Sequence, residues 1–367
     1  MNALRTCGVA AAVAGLGMAL SLPAFAQSPT VNVGGRIHLD AAKYNDDIVP
    51  LNDGVLVRRA RLGANGRFGD GWGYKVEWDF GGGGTTSAND LFISYDNLGP
   101  GQVKIGQFKV PFGLNELTSS NAIMFIERSL GTEAFADSRR LGVGYEHFES
   151  NYGYQAMVYS RNANQSTTGD EPLGVAGRFV FNPMNDDNGM VHLGIAMAYE
   201  STDDADAVRF RARPESRAGG SPRLVDTGSI TDVSSTLKLG LEAAWMSGPF
   251  SLEGEYMRTE ASRSAGNSDV DFSAFHIQGS YVLGGQRSYR GGRFRGVTAG
   301  AWELGLRYSW LDLNDGVIAG GEQSNVTFAV NYYATRNIRF MGNIIRVDQD
   351  DTGDKPWAFA LRGQVSF

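Results

Sequence analysis

The C-terminal segment Trp357–Phe367, WAFALRGQVSF, alternates between apolar and polar or small side chains. One set of alternate positions holds Trp357, Phe359, Leu361, Val365 and Phe367, and the other set includes Arg362, Gln364 and Ser366. Successive side chains of a β-strand point to opposite faces of the sheet, so this period of two predicts a strand with one apolar and one polar face.

The same alternation recurs in residues 31–40, 74–80 and 302–310. A soluble antiparallel sheet with a buried apolar face would show this pattern too. The number of strands and the lengths of the connections are therefore needed to decide between a soluble sheet and a membrane barrel.

Candidate strands can be assigned along the whole chain after its N-terminal segment. We predict them at residues 31–43, 54–67, 72–81, 89–96, 102–108, 138–149, 151–161, 173–183, 189–201, 235–246, 249–260, 270–283, 300–313, 322–333, 336–349 and 355–367, which makes sixteen. Most even-numbered connections are tight, as at Gly69–Gly71 and Ser247–Pro249, whereas several odd-numbered ones are long. An even strand number with short turns on one side indicates a transmembrane antiparallel β-barrel. The connection at 284–300 is the exception, because it is long on the short-turn side.

The composition agrees with an all-β barrel. The 367 residues include 49 Gly and only 11 Pro, aromatic residues make up 11%, and no apolar run after residue 26 is long enough for a spanning helix. About sixteen strands enclose a lumen wide enough for water. Outward aromatic side chains such as Trp78, Tyr308, Trp310 and Trp357 would then lie against lipid or at its interface.

The first 26 residues have the features of a secretory signal peptide. Arg5 supplies a positive charge, Gly8–Leu22 is apolar, and Ala24–Ala26 is a small-x-small cleavage pattern. A transmembrane anchor is the alternative, but the segment is short and no basic flank follows it. We predict that residues 1–26 are removed and that residues 27–367 form the barrel. Cleavage would also remove Cys7, the only cysteine, which excludes disulfides and cysteine chemistry from the mature chain.

Long runs of this sequence resemble the phosphate-selective porin O and P family. They are VRRARLGANGRFGDGWGYKVEWDF, KIGQFKVPFGLNELTSSNAIMFIERSL, VRFRARPES, GAWELGLRYSWLDLND and NIRFMGNIIRVD. The resemblance implies a sixteen-stranded barrel of the Gram-negative outer membrane that assembles as a homotrimer. It also implies a long third loop folded into the pore, and arginines and lysines that lead anions to a narrow binding site.

Three arginines of the first two strands match basic positions of that family. Arg58 and Arg59 match its paired arginines near the constriction, and Arg36 matches a basic residue of the first strand. Strand alternation alone places Arg59 and Arg61 on the lumen face. It points Arg58 outward, unless a bulge or a strand end intervenes.

The run VRFRARPES resembles the family's arginine ladder. Arg209, Arg211 and Arg213 alternate with apolar residues, so extended backbone would put the three guanidinium groups on one side. Guanidinium is always charged and fits phosphate oxygens through paired donors, so a row of such groups offers an anion successive sites. The alternative is a solvated loop strand whose arginines pair with nearby carboxylates, at Asp203, Asp204, Asp206 and Glu215.

Residues 109–137 match the family's pore-folding loop. Lys109 is the first candidate for an anion contact there, and Arg128 is the second. Glu116, Glu127 and Glu133 lie in the same segment and would either repel phosphate or hold the basic groups in place. The sequence leaves both alternatives open.

We therefore expect passive, anion-selective diffusion of phosphate, polyphosphate or another small anion. The Arg209–Arg213 row would pass the anion inward, and Arg59, Arg36 and Lys109 would replace part of its hydration shell. A general diffusion porin of the same fold is the main alternative. The net charge of −7 does not decide between them, because selectivity depends on the local field.

Other function classes have little support. The four histidines, His38, His147, His192 and His276, are scattered without ligand spacing, and the chain has no GxSxG and no phosphate-binding glycine loop. We therefore expect no enzyme activity, no cofactor and no metal site. The run Arg287–Arg295 could suit nucleic acid or anionic lipid in isolation, but in a barrel we predict a solvated connection and no nucleic-acid partner. A soluble secreted β protein is the last alternative.

Overall fold

A computed structural model describes residues 29–82, 86–165, 171–202, 207–220, 222–264 and 266–367. The predicted signal peptide at 1–26, with Cys7, lies outside the described residues. The same is true of Asp203, Asp204 and Asp206, three of the alternative partners of the arginine row.

Sixteen antiparallel strands form one closed barrel, in which each strand pairs with its neighbours along the chain and the first pairs with the last. The strands are β1 Asn32–Asn45, β2 Gly54–Phe68, β3 Trp72–Asp79, β4 Ser87–Leu98, β5 Gly101–Lys109, β6 Arg139–Phe148, β7 Tyr152–Tyr159, β8 Leu173–Asp186, β9 Gly189–Ser201, β12 Val233–Ser247, β13 Phe250–Arg263, β14 Val270–Leu283, β17 Trp302–Asp315, β18 Ile318–Tyr332, β19 Ile338–Gln349 and β20 Trp357–Ser366. All sixteen predicted strands are confirmed. The largest shift is at the start of β18, which begins at Ile318 instead of residue 322.

Four short strands lie outside the barrel wall. β10 (Arg211–Ala212) pairs with β11 (Val225–Asp226) in the connection between β9 and β12. β15 (Arg287–Tyr289) pairs with β16 (Phe294–Val297) in the connection between β14 and β17. Strands of two to four residues are too short to show a period of two, so sequence alternation did not reveal them.

The predicted alternation of faces is confirmed along the wall. In β17, Trp302 and Leu306 are 49% and 59% exposed, whereas the intervening Glu303 and Arg307 are 0% and 1% exposed. The outward apolar side chains face lipid, and the inward polar ones lie among the groups that fill the lumen. Within the described residues, no α-helix has the length and apolar composition that crossing a membrane requires.

The lumen is partly filled by two connections from the long-loop side. The third loop, residues 110–138, contains α1 (Leu114–Leu117) and α2 (Leu130–Phe135). The fifth loop, residues 202–232, carries β10 and β11. Phe112 and Phe135 of the third loop pack with Phe210 of the fifth loop and with Phe272 of β14 in one buried apolar cluster. An open cavity remains on the side of strands β1 to β7.

Candidate functional site

An open cavity of about 310 Å³ lies between the third loop and the inner wall of strands β1 to β7. Nine cationic side chains line it: Arg36, Arg61, Lys75, Lys104, Lys109, Arg128, Arg139, Arg293 and Arg295. The carboxylates in its lining are Asp90, Glu116 and Glu146. Among the described residues, this lining carries a clear excess of positive charge.

Part of that charge is balanced by carboxylates of the wall. Asp90 forms ion pairs with both Lys75 and Arg139, the latter at 2.6 Å. Arg61 lies 2.7 Å from Asp79, and its Nη1 lies 3.2 Å from Glu77. These pairs fix the basic side chains in place because each carboxylate accepts from basic groups on other strands of the wall.

Arg36 combines a weak ion pair with contacts to the third loop. Its Nη2 lies 3.4 Å from Glu77, and its Nη1 donates to the Ser120 hydroxyl at 3.0 Å. Arg36 therefore links the first strand of the wall to the loop that narrows the lumen.

The hairpin of β15 and β16 folds into the lumen from the short-turn side. Arg178 of β8 donates to the Gly292 carbonyl at 2.9 Å, and Tyr289 is hydrogen-bonded to His192 of β9 at 2.5 Å. The prediction of a solvated connection is wrong for Arg287, which is only 3% exposed and pairs with Glu303. Buried partners on the wall hold this hairpin inside the barrel.

Arg293 and Arg295 of that hairpin face the cavity. Within the part of the chain that the structure describes, neither has a carboxylate within 4.0 Å, and their Nε atoms donate to the Gly291 and Arg290 carbonyls. Their positive charges are therefore not balanced by an ion pair within the described chain, and they lie where the hairpin enters from the short-turn side. The sequence predicted a solvated connection here, because strands of three and four residues are too short for an alternation that would show a hairpin folded into the lumen.

Glu116 holds the two predicted anion contacts of the third loop. Its carboxylate lies 3.1 Å from Lys109 Nζ and 3.0 Å from Arg128 Nε. Arg128 also donates to the carbonyls of Asn115 and Thr118, each at 2.9 Å. Both basic residues line the cavity, but most N–H donors of Arg128 are bound to backbone carbonyls of the loop itself.

A β-bulge sets the directions of Arg58 and Arg59. Arg59 pairs with His38 and Val57 with Leu39, so Arg58 is the extra residue of β2. The bulge lets both arginines reach the third loop: Arg58 donates to both oxygens of Glu127 at 2.7 and 3.0 Å. Arg59 is 3% exposed and lies against His38. Neither arginine lines the cavity.

Glu127 gathers four guanidinium groups beneath the third loop, those of Arg58, Arg59, Arg217 and Arg362. Burial raises the pKa of the Glu127 carboxyl, but these guanidinium groups outweigh burial and hold its pKa well below the usual range. Glu127 is therefore a carboxylate that fixes the loop.

A row of inward donors binds the backbone of residues 122–127. The carbonyls of Ala122, Ile123, Met124, Ile126 and Glu127 accept from Arg287, Arg339, Asn331, Arg362 and Arg307 respectively. Strand alternation predicts that Arg307 and Arg362 lie on the inner face, but it does not predict that they bind the backbone of the third loop. These arginines position the loop that bounds the cavity.

The Arg209–Arg213 row lies on the fifth loop and alternates as predicted. Arg209 is exposed and donates to both oxygens of Asp226 at 2.6 Å. Arg213 is partly buried and lies 3.1 Å from Glu133 of the third loop, which also binds Arg217. The Glu215 carboxylate pairs with Arg307, whereas the Glu215 backbone N–H donates to the Arg213 carbonyl at 2.7 Å. The row thus runs from the exposed surface of the fifth loop to the third loop.

Comparisons with known proteins cover nearly the whole described chain. The sequence profile described as phosphate-selective porin O and P matches residues 31–367. Porin O of Pseudomonas aeruginosa is 26% identical over 390 residues, covering 91% of this chain and 88% of that protein. A Caulobacter vibrioides protein described as uncharacterized is 30% identical over 331 residues, covering 83% of this chain and 66% of that protein. The chain thus spans just under two thirds of the Caulobacter relative.

Among solved structures, an anion-selective porin from Comamonas acidovorans superimposes with a TM-score of 0.63 at 14% identity. The match covers 93% of this chain and 100% of that porin. At this identity the likeness concerns the fold, a porin barrel.

Proposed function

Because this chain belongs to the phosphate-selective porin O and P family and forms an outer-membrane channel rather than an enzyme, we propose that it conducts phosphate, polyphosphate or similar small anions by passive diffusion. The family and the barrel make it an integral protein of the outer membrane. The preferred anion and the route through the lumen are the parts that we propose.

The observation that carries the proposal is the lining of the cavity, with nine cationic side chains and three carboxylates. An anion that loses water in a narrow space needs donors of opposite charge to replace its hydration shell. Arg36, Arg293 and Arg295 offer donors from different sides of the cavity, and Lys109 lines the cavity beside Glu116. Several sites of moderate strength allow an anion both to enter and to leave.

The path that we propose begins at the fifth loop. Arg209, Arg211 and Arg213 attract the anion toward the third loop, and the cavity residues then coordinate it. The hairpin arginines receive it at the short-turn end. Arg58, Arg59 and Arg128 act in this proposal by holding the third loop, since their donors are bound to Glu127, His38, Glu116 and loop carbonyls.

A general porin with weak selectivity is the second candidate. The ion pairs that Asp90 forms with Lys75 and Arg139 favour it, because they neutralise part of the basic lining. The two candidates differ in whether phosphate binds saturably inside the pore.

The test is single-channel recording of the detergent-purified protein in planar bilayers, with chloride as carrier and phosphate added stepwise. We expect an anion-selective reversal potential and saturable block of the chloride current by phosphate. The double variant Arg293→Ser/Arg295→Ser should weaken the block about tenfold or more, since the loss of even one charged hydrogen bond costs about 1.5–3 kcal/mol. Neither arginine is in an ion pair within the described chain, so the double variant does not leave a carboxylate without its partner.

The matched control is Arg258→Ser. Arg258 is exposed on the outer face of β13 and pairs there with Asp271. It should leave selectivity and block unchanged. A cation-selective pore, or one that phosphate does not block, would rule out the phosphate channel and favour the general porin.

We propose that residues 1–26 are removed on export and that the barrel assembles as a homotrimer, as the family resemblance implies. Chemical cross-linking of the membrane-embedded protein tests the assembly, and a purely monomeric product would contradict it.

A further inference from the structure

Three potential metal ligands meet on the inner wall behind the third loop. Glu253 and Glu255 are alternate residues of β13, and His276 of β14 is the direct cross-strand partner of Glu255. Their exposed fractions are 3%, 4% and 4%. Strand pairing brings together residues that are more than twenty positions apart, so ligand spacing along the sequence could not reveal the group.

The distances fit a small divalent ion. His276 Nε2 lies 3.4 Å from Glu253 Oε1 and 3.8 Å from Glu255 Oε2. All three donor atoms lie within 4.8 Å of one another. Zinc binds nitrogen and oxygen ligands at about 2.0–2.2 Å, so neighbouring ligands of a tetrahedral site are about 3.3–3.6 Å apart. The donors need to move only slightly to bind one ion.

The charges around the group also favour a cation. Glu242 of the neighbouring strand has Arg178 at 2.6 Å in addition to His192 at 2.9 Å. Glu253 and Glu255 share one histidine, and no Lys or Arg of the described chain lies within 4.0 Å of either carboxylate. Two buried carboxyl groups beside one imidazole are costly to ionise together unless a cation lies between them.

A fourth donor atom, an amide oxygen, supplies independent support. Gln278 follows His276 by two positions on the same inward face and is the direct cross-strand partner of Glu253. It is 2% exposed, and its Oε1 atom has no hydrogen-bond partner among the residues that the structure describes. A buried amide oxygen without a donor is a group that a bound cation would satisfy.

We propose that Glu253, Glu255, His276 and Gln278 form a site for a divalent transition-metal ion of the Zn²⁺ class. The same carboxylates hold the start of the third loop: Glu255 accepts from the backbone N–H groups of Leu114 and Asn115 at 2.6 and 3.0 Å. Glu253 accepts from the Asn115 side chain at 3.1 Å. The ion would therefore fix the loop that bounds the pore.

The first experiment measures zinc content. Detergent-purified full-length barrel is treated with a chelator, reloaded with Zn²⁺ and analysed by elemental mass spectrometry. We expect about one ion per chain in the wild type, as for a structural site, and near-background content in His276→Ala. The matched control is His192→Ala, which also removes a buried histidine beside a buried glutamate and should retain the ion. Absence of zinc from the folded wild type would overturn the proposal.

A second variant should strengthen zinc binding instead of removing it. Gln278→Glu adds a carboxylate to the group, so Zn²⁺ should bind about tenfold or more tightly and should raise the thermal unfolding temperature more than in the wild type. If no metal binds there, the third carboxylate only adds repulsion. Destabilisation of Gln278→Glu that Zn²⁺ does not relieve would therefore count against the site, even if His276→Ala failed to fold.

Discussion

The two halves of the inner wall use the same basic residue types in different ways. On the open half, strands β1 to β7 direct Arg36, Lys75 and Arg139 toward the cavity. On the loop-bound half, Arg307 and Arg362 donate to backbone carbonyls of the third loop and are 1% and 2% exposed. These inward basic side chains thus either face the cavity or hold the loop that bounds it.

The difference lies in how completely each arginine is paired. Arg362 binds Asp40 through two bonds at 2.6 and 2.7 Å, Arg307 binds Glu215 at 2.6 Å, and Arg287 binds Glu303 at 2.5 Å. Each of these three arginines is paired with a carboxylate, whereas the hairpin arginines of the open half have no carboxylate within 4.0 Å among the described residues. Anion selectivity depends on the half that is left unbalanced.

The largest expected effect is on stability, in the variant Arg362→Ala. It removes the partner of buried Asp40 and leaves the Ile126 carbonyl without that donor, so unfolding should become easier by about 3–5 kcal/mol. The measurement is the temperature at which the barrel loses its compact migration in detergent gels.

Arg346→Ala is the control for this loss, because Arg346 is only partly buried and packs on the outward Trp357 ring at 5.1 Å. It should cost about 1 kcal/mol or less. Equal destabilisation by the two variants would show that the arginines bound to the third loop contribute no more to stability than a partly buried arginine elsewhere on the barrel.

A smaller effect is expected from Glu127→Gln, which keeps the shape of the side chain but removes the charge that faces four guanidinium groups. We expect a loss of about 1–3 kcal/mol and an altered conductance, because the third loop is held less firmly. Thermal unfolding and single-channel conductance of the two proteins provide the comparison.

The pH dependence of this difference follows from the lowered pKa of Glu127. A carboxyl with a lower pKa in the folded state adds stability above its unfolded pKa of about 4.3 and loses it as pH falls through the folded pKa. The difference between wild type and Glu127→Gln should therefore stay constant from about pH 7 to about pH 5 and shrink only in stronger acid. A difference that disappears near pH 6 would contradict the lowered pKa.

The sequence was sufficient to predict the wall but not the contents of the lumen. A period of two is a local property, and it located all sixteen barrel strands because each strand must present one face to lipid and one to polar groups. Arg58 shows the limit: parity pointed it outward, and the bulge opposite His38 turns it toward Glu127. One inserted residue is enough to break the parity rule.

Strand alternation predicted the candidate site only where a residue's own strand decides its direction. Arg36 and Arg61 follow from alternation and line the cavity. Arg293 and Arg295 do so because a hairpin folds inward onto Arg178 and His192, a tertiary contact without a local pattern. The group of Glu253, Glu255 and His276 depends on the register between two strands, which a single sequence does not specify.

The smallest expected effect is that of Arg209→Ala on the fifth loop, and it separates the anion ladder from a solvated ion pair. Arg209 pairs with Asp226 at an exposed position, so its loss should change stability by no more than about 1 kcal/mol. If Arg209 attracts anions, conductance should fall at about 0.1 M salt, where the screening length is about 10 Å, and recover at about 1 M, where it is about 3 Å. Asp226→Asn frees the same guanidinium and should raise conductance at low salt. Two variants with no salt-dependent difference would make Arg209 a structural part of the loop and would leave attraction of the anion to the residues deeper in the lumen.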